Sequence, residues 1–242
     1  MKPRLNHFVQ LCCLLLLLEV GFAQEASFRI APLRPVEELR AEALKAQPPA
    51  EQGAFRQPEL VELVKLDPSI KLDIRYATTN NFLGTPVYTQ ARAFLQRPAA
   101  EALVRVNREL KARGYVLIIH DGYRPWYVTK IFWDATPDDK KIFVANPAEG
   151  SKHNRGCAVD LSLYDLKTGK EVKMPSGYDE MSDRAYADYA GGTMDERARR
   201  TLLREAMEKQ GFTVYPEEWW HFDYKDWKAY PILNVKFEDL RQ

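Results

Sequence analysis

Hydrophobic and polar residues alternate in two segments of the chain, as they do in strands with one buried face. In residues 70–76 apolar side chains occupy every second position, and the three positions between them are charged. Residues 159–164 alternate in the same way, which places Asp160 on the polar face of its strand. Because successive side chains of a strand point to opposite faces, both segments predict half-buried strands. Apolar runs predict further strands at 61–66, 115–119, 212–215 and 220–224.

Apolar residues three and four positions apart predict amphipathic helices elsewhere in the chain. Residues 98–113 have such a stripe, and Gly114 follows the last turn, where glycine commonly ends a helix. Residues 195–210 have another, with Thr193 or Asp195 as the capping residue at its start. Shorter helices are predicted at 36–46, 126–133 and 137–146.

The order of these elements favours one fold class over the others. Strands and helices are mixed without a regular strand–helix–strand repeat, which favours an α+β single domain with a central, mostly antiparallel sheet flanked by helices. Residues 24–58 are rich in Ala, Glu, Gln and Pro, and we interpret them as an N-terminal arm or linker that is loosely attached. The folded domain is assigned to residues 59–242.

The amino terminus has the layout of a secretory signal peptide. Residues 1–23 begin with Lys2 and Arg4, continue with a short apolar run and end in small residues at Ala23. The apolar run is interrupted by Glu19 and is shorter than the ~20 residues that a membrane span needs. We therefore predict that the protein is exported to the periplasm or the extracellular space, with no stable membrane span after cleavage.

Charge and cysteine content exclude several other classes of protein. The chain has 35 basic and 34 acidic residues, so nothing in its net charge of +1 suggests nucleic acid as a partner. Two of its three cysteines, Cys12 and Cys13, lie in the predicted signal peptide. Cys157 then remains alone, which excludes an internal disulfide in the mature chain. We interpret Cys157 as a small packing residue rather than a metal ligand.

Two separated stretches, 151–160 and 218–221, contain the residue types of a catalytic zinc site. His153, Asp160 and His221 are side chains that zinc accepts, and three protein ligands leave a fourth position open for water. On spacing alone, surface or structural histidines remain an equally simple interpretation. Glu218 is a candidate base, although in a flat strand it would point away from His221. The turn-like residues 216–218 allow Glu218 to lie at the start of the strand instead.

Arg124 is the candidate for stabilising negative charge in a reaction. It follows a predicted strand and precedes Pro125, so its position is restricted. Its guanidinium could stabilise an oxyanion or hold a substrate carboxylate. A structural ion pair with Asp121 or Asp73 explains the same pattern equally well. His120, at the end of the strand, is interpreted as structural.

Taken together, these motifs resemble those of the D-alanyl-D-alanine dipeptidases in the zinc peptidase M15 family, which also holds D-Ala-D-Ala carboxypeptidases. The resemblance extends from about residue 60 to residue 225 and implies the D-Ala-D-Ala peptidase, or hedgehog-like, zinc fold. The matching stretches are 73–78 with 81–82, 121–125, 151–160 and 218–221.

The resemblance implies a role for each residue of the two zinc-site stretches and for Arg124. One zinc ion per chain would be held by His153, Asp160 and His221. Glu218 would act as the general base and then as the proton donor. Arg124 would polarise the scissile carbonyl and stabilise the tetrahedral intermediate.

The resemblance also implies four substrate-binding residues. Tyr76 and Asp179 would contact the amino end of the substrate, and Ser151 would contact its terminal carboxylate. Asp121 is grouped with them because it lies in the loop of Arg124 and would orient that side chain. Asp179 lies in the stretch where the match is loosest.

The predicted function is the zinc-dependent hydrolysis of D-Ala-D-Ala to two D-alanines, in salvage of wall-derived dipeptide or in peptidoglycan turnover. One alternative is a carboxypeptidase acting on longer peptidoglycan stems, which would need a cleft that is open on the amino side. A second alternative is a non-catalytic wall-binding module with a structural zinc ion. Glu218 argues against that module, because a structural site needs no base. The oligomeric state is left open.

Overall fold

The computed structural model describes residues 28–240, and a six-stranded sheet lies at the centre of this part of the chain. The strands are β1 (Leu60–Glu62), β2 (Lys71–Leu72), β3 (Phe94–Gln96), β4 (Tyr115–Asp121), β5 (Ala158–Asp165), β6 (Lys170–Glu171), β7 (Phe212–Tyr215) and β8 (Glu218–Tyr224). The α-helices are α1 (Val36–Ala43), α2 (Leu63–Leu66), α3 (Arg97–Lys111), α4 (Trp126–Ala135) and α5 (Met194–Glu208).

The central sheet is antiparallel except at one edge. Its strand order is β2-β4-β5-β8-β7, and β6 pairs with the far end of β5. Only the pairing of β2 with β4 is parallel; the other pairings in this sheet are antiparallel. Strands β1 and β3 form a separate antiparallel pair. The predicted α+β fold with a mostly antiparallel sheet is confirmed.

The two long helices cover the sheet with the apolar stripes that the sequence predicts. On α3, which packs against β4, Leu103, Val106 and Leu110 are fully buried. Helix α5 packs against β7 and begins with a capping box: Glu196 N–H donates to Thr193 Oγ1, and Thr193 N–H donates to Glu196 Oε2. This arrangement satisfies two backbone donors at the start of the helix, so the cap is Thr193 rather than Asp195.

The segment before the domain is attached more closely than its composition predicts. Helix α1 packs against α4, and its side chains Leu39 and Ala43 are fully buried. Glu51 further along the segment pairs with Arg155 at 2.5 Å, next to the turn that contains His153. Residues 28–58 therefore form an arm packed on the domain, not a loose linker, because the apolar stripe of α1 finds a partner in α4.

Three local predictions differ from the structure. The strand predicted at 70–76 is regular only over Lys71–Leu72, and Arg75–Ala77 is a 3-10 turn that turns the chain toward the cavity. In 61–66, only the first two residues lie in a strand, and Leu63–Leu66 is a helical turn. The segment at 137–146 contains a 3-10 helix, Asp138–Phe143, in place of an α-helix.

The predicted signal peptide, residues 1–23, lies outside the described residues. Within 28–240, no helix combines the length and the apolar character that crossing a membrane requires. Cys157 is fully buried, and burial raises the pKa of its thiol to about 12, as expected for a packing residue.

Candidate active site

Two of the predicted ligands face each other across neighbouring strands. Asp160 on β5 pairs with His221 on β8, and Asp160 Oδ1 lies 3.0 Å from His221 Nδ1. His153 lies in a 3-10 turn that ends at Gly156, whose φ of 67° turns the chain back toward β5. His153 Nε2 is 3.1 Å from His221 Nδ1 and 3.3 Å from Asp160 Oδ1. The structure therefore brings the three residues together at one point.

The spacing of these three atoms fits a single divalent metal ion. Tetrahedral zinc with bonds of ~2.0–2.1 Å holds neighbouring ligand atoms roughly 3.3 Å apart. The separations found here are 3.0, 3.1 and 3.3 Å. Asp160 Oδ1 is also buried without a hydrogen bond from any of residues 28–240. A buried carboxylate oxygen without a donor is costly, and a metal ion at this point would satisfy it.

Neighbouring groups orient the three ligands. His153 Nδ1 lies 2.7 Å from the carbonyl of Gly122, which leaves its Nε2 directed at the cluster. Tyr178 donates a hydrogen bond of 3.0 Å to Asp160 Oδ2. Burial raises the pKa of Asp160, but His153 and His221 outweigh it and hold that pKa well below its ordinary value. The carboxylate is therefore ionised, as a metal ligand must be.

Glu218 lies beside this cluster because β8 is irregular. Tyr215 pairs with Glu218, whereas Val214 pairs with Phe222, so the residues between Glu218 and Phe222 interrupt the pairing with β7. The irregularity removes the strict alternation of faces and brings Glu218 Oε2 to 3.7 Å from His221 Nδ1. Burial raises the pKa of Glu218 to about 8; it outweighs the lowering effect of His221, and Asp160 adds a smaller rise. A carboxyl group with this pKa is suited to accept and return a proton near neutral pH.

A β-bulge on β4 positions Asp121, the carboxylate that holds Arg124. Ile119 pairs with Leu161, but Asp121 pairs with Asp160, so the strand has one extra residue at His120. The bulge places Asp121, rather than His120, next to Asp160. Arg124 donates from Nε to Asp121 Oδ2 at 2.9 Å.

This ion pair directs the guanidinium of Arg124 at the three candidate metal ligands, His153, Asp160 and His221. Arg124 Nη2 lies 3.7 Å from Asp160 Oδ2, and the guanidinium carbon lies 4.8 Å from the centre of the Phe132 ring. The two interpretations left open by the sequence, an ion pair with Asp121 and a role in the site, are thus compatible. Asp73, the other candidate partner, pairs with Arg75 at 2.5 Å.

Asp121 itself is not placed to touch a substrate. Its side chain is 1% exposed, and its oxygens accept hydrogen bonds from Tyr88 at 2.6 Å, from the Gly122 backbone at 2.8 Å and from Arg124. The grouping of Asp121 with substrate-binding residues is therefore corrected, because three donors occupy its carboxylate. Its place in the structure is behind Arg124, which it orients.

In the lining of the cavity, the buried Tyr76 pairs with the half-buried Asp179. The hydroxyl of Tyr76 donates to Asp179 Oδ1 at 3.0 Å, while Asp179 Oδ2 is buried and accepts no hydrogen bond from the part of the chain that the structure describes. Burial raises the pKa of Asp179 to about 7, with a further rise from Asp160. Its φ of 59° is a left-handed conformation, which aspartate adopts more readily than most residues other than glycine. A buried carboxylate oxygen without a donor is costly to leave unpaired.

The cavity itself has a volume of about 450 Å³. Its lining includes the metal cluster and five other predicted residues: Tyr76, Arg124, Ser151, Asp179 and Glu218. Ser151 is 9% exposed, and its Oγ accepts a hydrogen bond from the backbone of His153 at 3.2 Å, which leaves the hydroxyl proton free to donate. His120 lies outside the cluster, with its ring nitrogens near the Asp73 carbonyl at 3.3 Å and Glu171 at 3.2 Å.

Sequence reasoning missed three supporting residues, Tyr178, Tyr88 and Asp223. Tyr178 directly precedes Asp179, and Asp223 lies two positions after His221, so adjacency was the available signal for both. Tyr88 lies in an irregular segment, and nothing in its surrounding sequence indicates that its hydroxyl reaches Asp121.

The fold and this site define a metallopeptidase, and comparison with known proteins narrows the class. The chain belongs to the peptidase M15 family described as D-Ala-D-Ala dipeptidase, which matches residues 56–240. A D-alanyl-D-alanine dipeptidase of Escherichia coli (strain K12) is 35% identical over 179 residues, covering 74% of this chain and 91% of that protein.

Two further relatives have the same name. The protein of Enterococcus faecium is 36% identical over 186 residues, which covers 69% of this chain and 92% of the relative. The protein of Streptomyces coelicolor (strain ATCC BAA-471 / A3(2) / M145) is 33% identical over 175 residues, with coverage of 65% and 87%.

Proposed function

We propose that this protein is a zinc-dependent dipeptidase that hydrolyses D-Ala-D-Ala to two D-alanines. The observation that carries the proposal is the position of Glu218 and Arg124 around the cluster of His153, Asp160 and His221, with Asp179 in the lining of the same cavity. Zinc, when bound to the cluster, supplies Lewis acidity that polarises the scissile carbonyl and lowers the pKa of a coordinated water to ~7.

Glu218 is placed to move the proton that hydrolysis requires. It accepts a proton from the attacking water, whose oxygen joins the carbonyl carbon. As the C–N bond breaks, the same carboxyl group returns the proton to the leaving amine. The raised pKa of this carboxyl group brings proton exchange with water and with an amine closer to neutral pH than an ordinary glutamate would.

Arg124 stabilises the negative charge that develops on the carbonyl oxygen. Its guanidinium is held by Asp121 at 2.9 Å and directed at the metal cluster, so little reorganisation is needed during the reaction. Preorganised donors of this kind typically lower a barrier by ~2.7–4 kcal/mol.

Two lining residues of the cavity suit the charged groups of a free dipeptide. Asp179 Oδ2, unpartnered within residues 28–240, would bind the ammonium of the substrate, and Ser151 would donate to its terminal carboxylate. A longer stem peptide has an amide in place of that ammonium and would leave Asp179 without its cation. This buried carboxylate favours the dipeptidase over a carboxypeptidase, and Glu218 disfavours a purely structural zinc module.

The test compares three substrates that differ at the amino end. Purified zinc-loaded protein is expected to release D-alanine from D-Ala-D-Ala but not from N-acetyl-D-Ala-D-Ala or a pentapeptide stem ending in D-Ala-D-Ala. Comparable kcat/KM values on the blocked substrates would support the carboxypeptidase instead. Metal analysis of the purified protein identifies the ion.

We also propose that the protein is exported and acts on dipeptide released from the cell wall, in salvage or turnover. The support is the sequence of residues 1–23, with its basic start, apolar run and small residues at Ala23. Fractionation of expressing cells, with amino-terminal sequencing of the mature protein, tests this. Retention of residues 1–23 on a cytoplasmic protein would reject export.

A further inference from the structure

The two histidines of the metal cluster present different ring nitrogens to it. His153 faces the cluster with Nε2 and directs Nδ1 to the Gly122 carbonyl at 2.7 Å. His221 faces the cluster with Nδ1, and its Nε2 lies 2.9 Å from Asp223 Oδ1. Asp223 is two residues after His221 on β8, where a strand returns to the same face. One histidine is therefore supported by a neutral carbonyl and the other by a carboxylate.

Asp223 is held in place by a second charged group. Its side chain is only 10% exposed, and its other oxygen, Oδ2, lies 2.5 Å from Lys152 Nζ. The ammonium of Lys152 also lies 5.2 Å from the centre of the Trp227 ring and 5.8 Å from that of Tyr215. Lys152 directly precedes His153. The same turn of the chain therefore supplies one metal ligand, His153, and the ammonium that pairs with Asp223, the carboxylate next to the other histidine, His221.

We propose that Asp223 is a positioning residue of the metal centre. By accepting the hydrogen bond from His221 Nε2–H, it fixes the tautomer in which the Nδ1 lone pair points at the metal and makes that nitrogen a stronger donor. Lys152, 2.5 Å from the other carboxylate oxygen, holds Asp223 in this orientation. This inference rests on the metal site of the proposed function and assigns the residue that tunes it.

An ordinary salt bridge between β8 and the preceding turn would explain the Lys152–Asp223 contact but not the orientation of His221. The two roles differ in what they affect. A structural pair contributes to the free energy of unfolding of the metal-free protein. A positioning residue affects the affinity for zinc, which measurements on the folded metal-free protein report directly.

The experiment measures the zinc dissociation constant of metal-free protein by competition with a chromophoric chelator. Asp223→Asn is expected to weaken zinc binding about 10- to 100-fold, the range typical for loss of such a partner. Asp223→Glu should recover part of the affinity, and Lys152→Met should weaken it less than Asp223→Asn does. The control is Asp226→Asn, three residues later. Asp226 is 34% exposed, pairs with the exposed Arg56 at 3.1 Å and is not one of the clustered candidate ligands.

Thermal unfolding and circular dichroism of the metal-free variants verify that each is folded before zinc is added. Wild-type zinc affinity in Asp223→Asn, together with loss of zinc binding in His221→Ala, overturns this inference and leaves the metal site intact. Wild-type affinity in His221→Ala overturns the metal site and the inference with it. Weakened affinity in Asp223→Asn but not in Asp226→Asn supports the inference.

Discussion

Asp160 and His221 are direct partners on adjacent antiparallel strands, with Asp160 Oδ1 3.0 Å from His221 Nδ1. The two residues are 61 positions apart in the chain, and the register of β5 against β8 alone brings them together. Because opposed side chains in an antiparallel sheet point to the same face, one correct register aligns two metal ligands at once. Two of the three ligands are thus positioned by the central sheet.

Replacing Glu218 with Gln should greatly reduce turnover while zinc remains bound. The amide cannot accept a proton from water, and loss of a general base typically costs 10²- to 10⁴-fold in rate, roughly. D-alanine release and zinc content, measured on the same sample, check this. Glu217→Gln is the matched control, because Glu217 precedes Glu218 in the turn but does not line the cavity. Near-normal turnover in Glu218→Gln would remove the base assignment.

Replacing Arg124 with Lys should lower kcat by roughly 10²- to 10³-fold with little effect on zinc affinity. Lysine keeps the charge but lacks the planar fork that lets arginine bind Asp121 and still face the cavity. Steady-state kinetics on D-Ala-D-Ala measure the effect. Arg97→Lys, at a site with 42% of the side chain exposed, serves as the control. A kcat unchanged by Arg124→Lys would assign Arg124 a purely structural role.

Asp179→Asn should reduce kcat/KM for D-Ala-D-Ala about ten- to a hundredfold, because a charge-assisted hydrogen bond to the ammonium is lost. The side chain of Asn still accepts the hydrogen bond from Tyr76. Asp183→Asn, on the exposed surface nearby, is the control. Full activity of Asp179→Asn would place the ammonium elsewhere.

The same substitution should change how stability depends on pH. Burial raises the pKa of Asp179 from 3.8 to about 7, so between these values the folded state binds more protons than the unfolded state. The contribution of this group to stability is therefore fully present below pH 3.8 and is lost as pH rises through 7. The wild type should lose stability between about pH 4 and about pH 7, whereas Asp179→Asn lacks this titrating group. The free energy of unfolding of the variant minus that of the wild type should therefore increase over this range. Chemical denaturation of substrate-free protein at several pH values measures it; a flat difference would contradict the shifted pKa.

Removing the metal should abolish activity and lower the melting temperature. Zinc that binds only the folded state stabilises it by about 2.7 kcal/mol at a free concentration one hundred times the dissociation constant. Differential scanning fluorimetry after chelation and after return of zinc detects the shift. His221→Ala should show no zinc response. His120→Asn should retain the response, because His120 lies outside the cluster; an equal loss in both variants would contradict the ligand assignment.

The sequence by itself determined the fold class, the two long amphipathic helices and the residue types of the site. Local patterns suffice there, because helix periodicity, capping residues and strand alternation are properties of neighbouring residues. The short motifs around His153 and His221 likewise contain the candidate ligands and the candidate base within a few adjacent residues.

Only the tertiary structure decided how those residues meet. The bulge at His120 that brings Asp121 beside Asp160, and the irregularity that brings Glu218 near His221, depend on strand register between distant segments. The packing of α1 on α4 and the short length of β2 depend on which surfaces find partners. Such contacts are set by the free energy of burying the whole chain at once, which no single stretch of sequence contains.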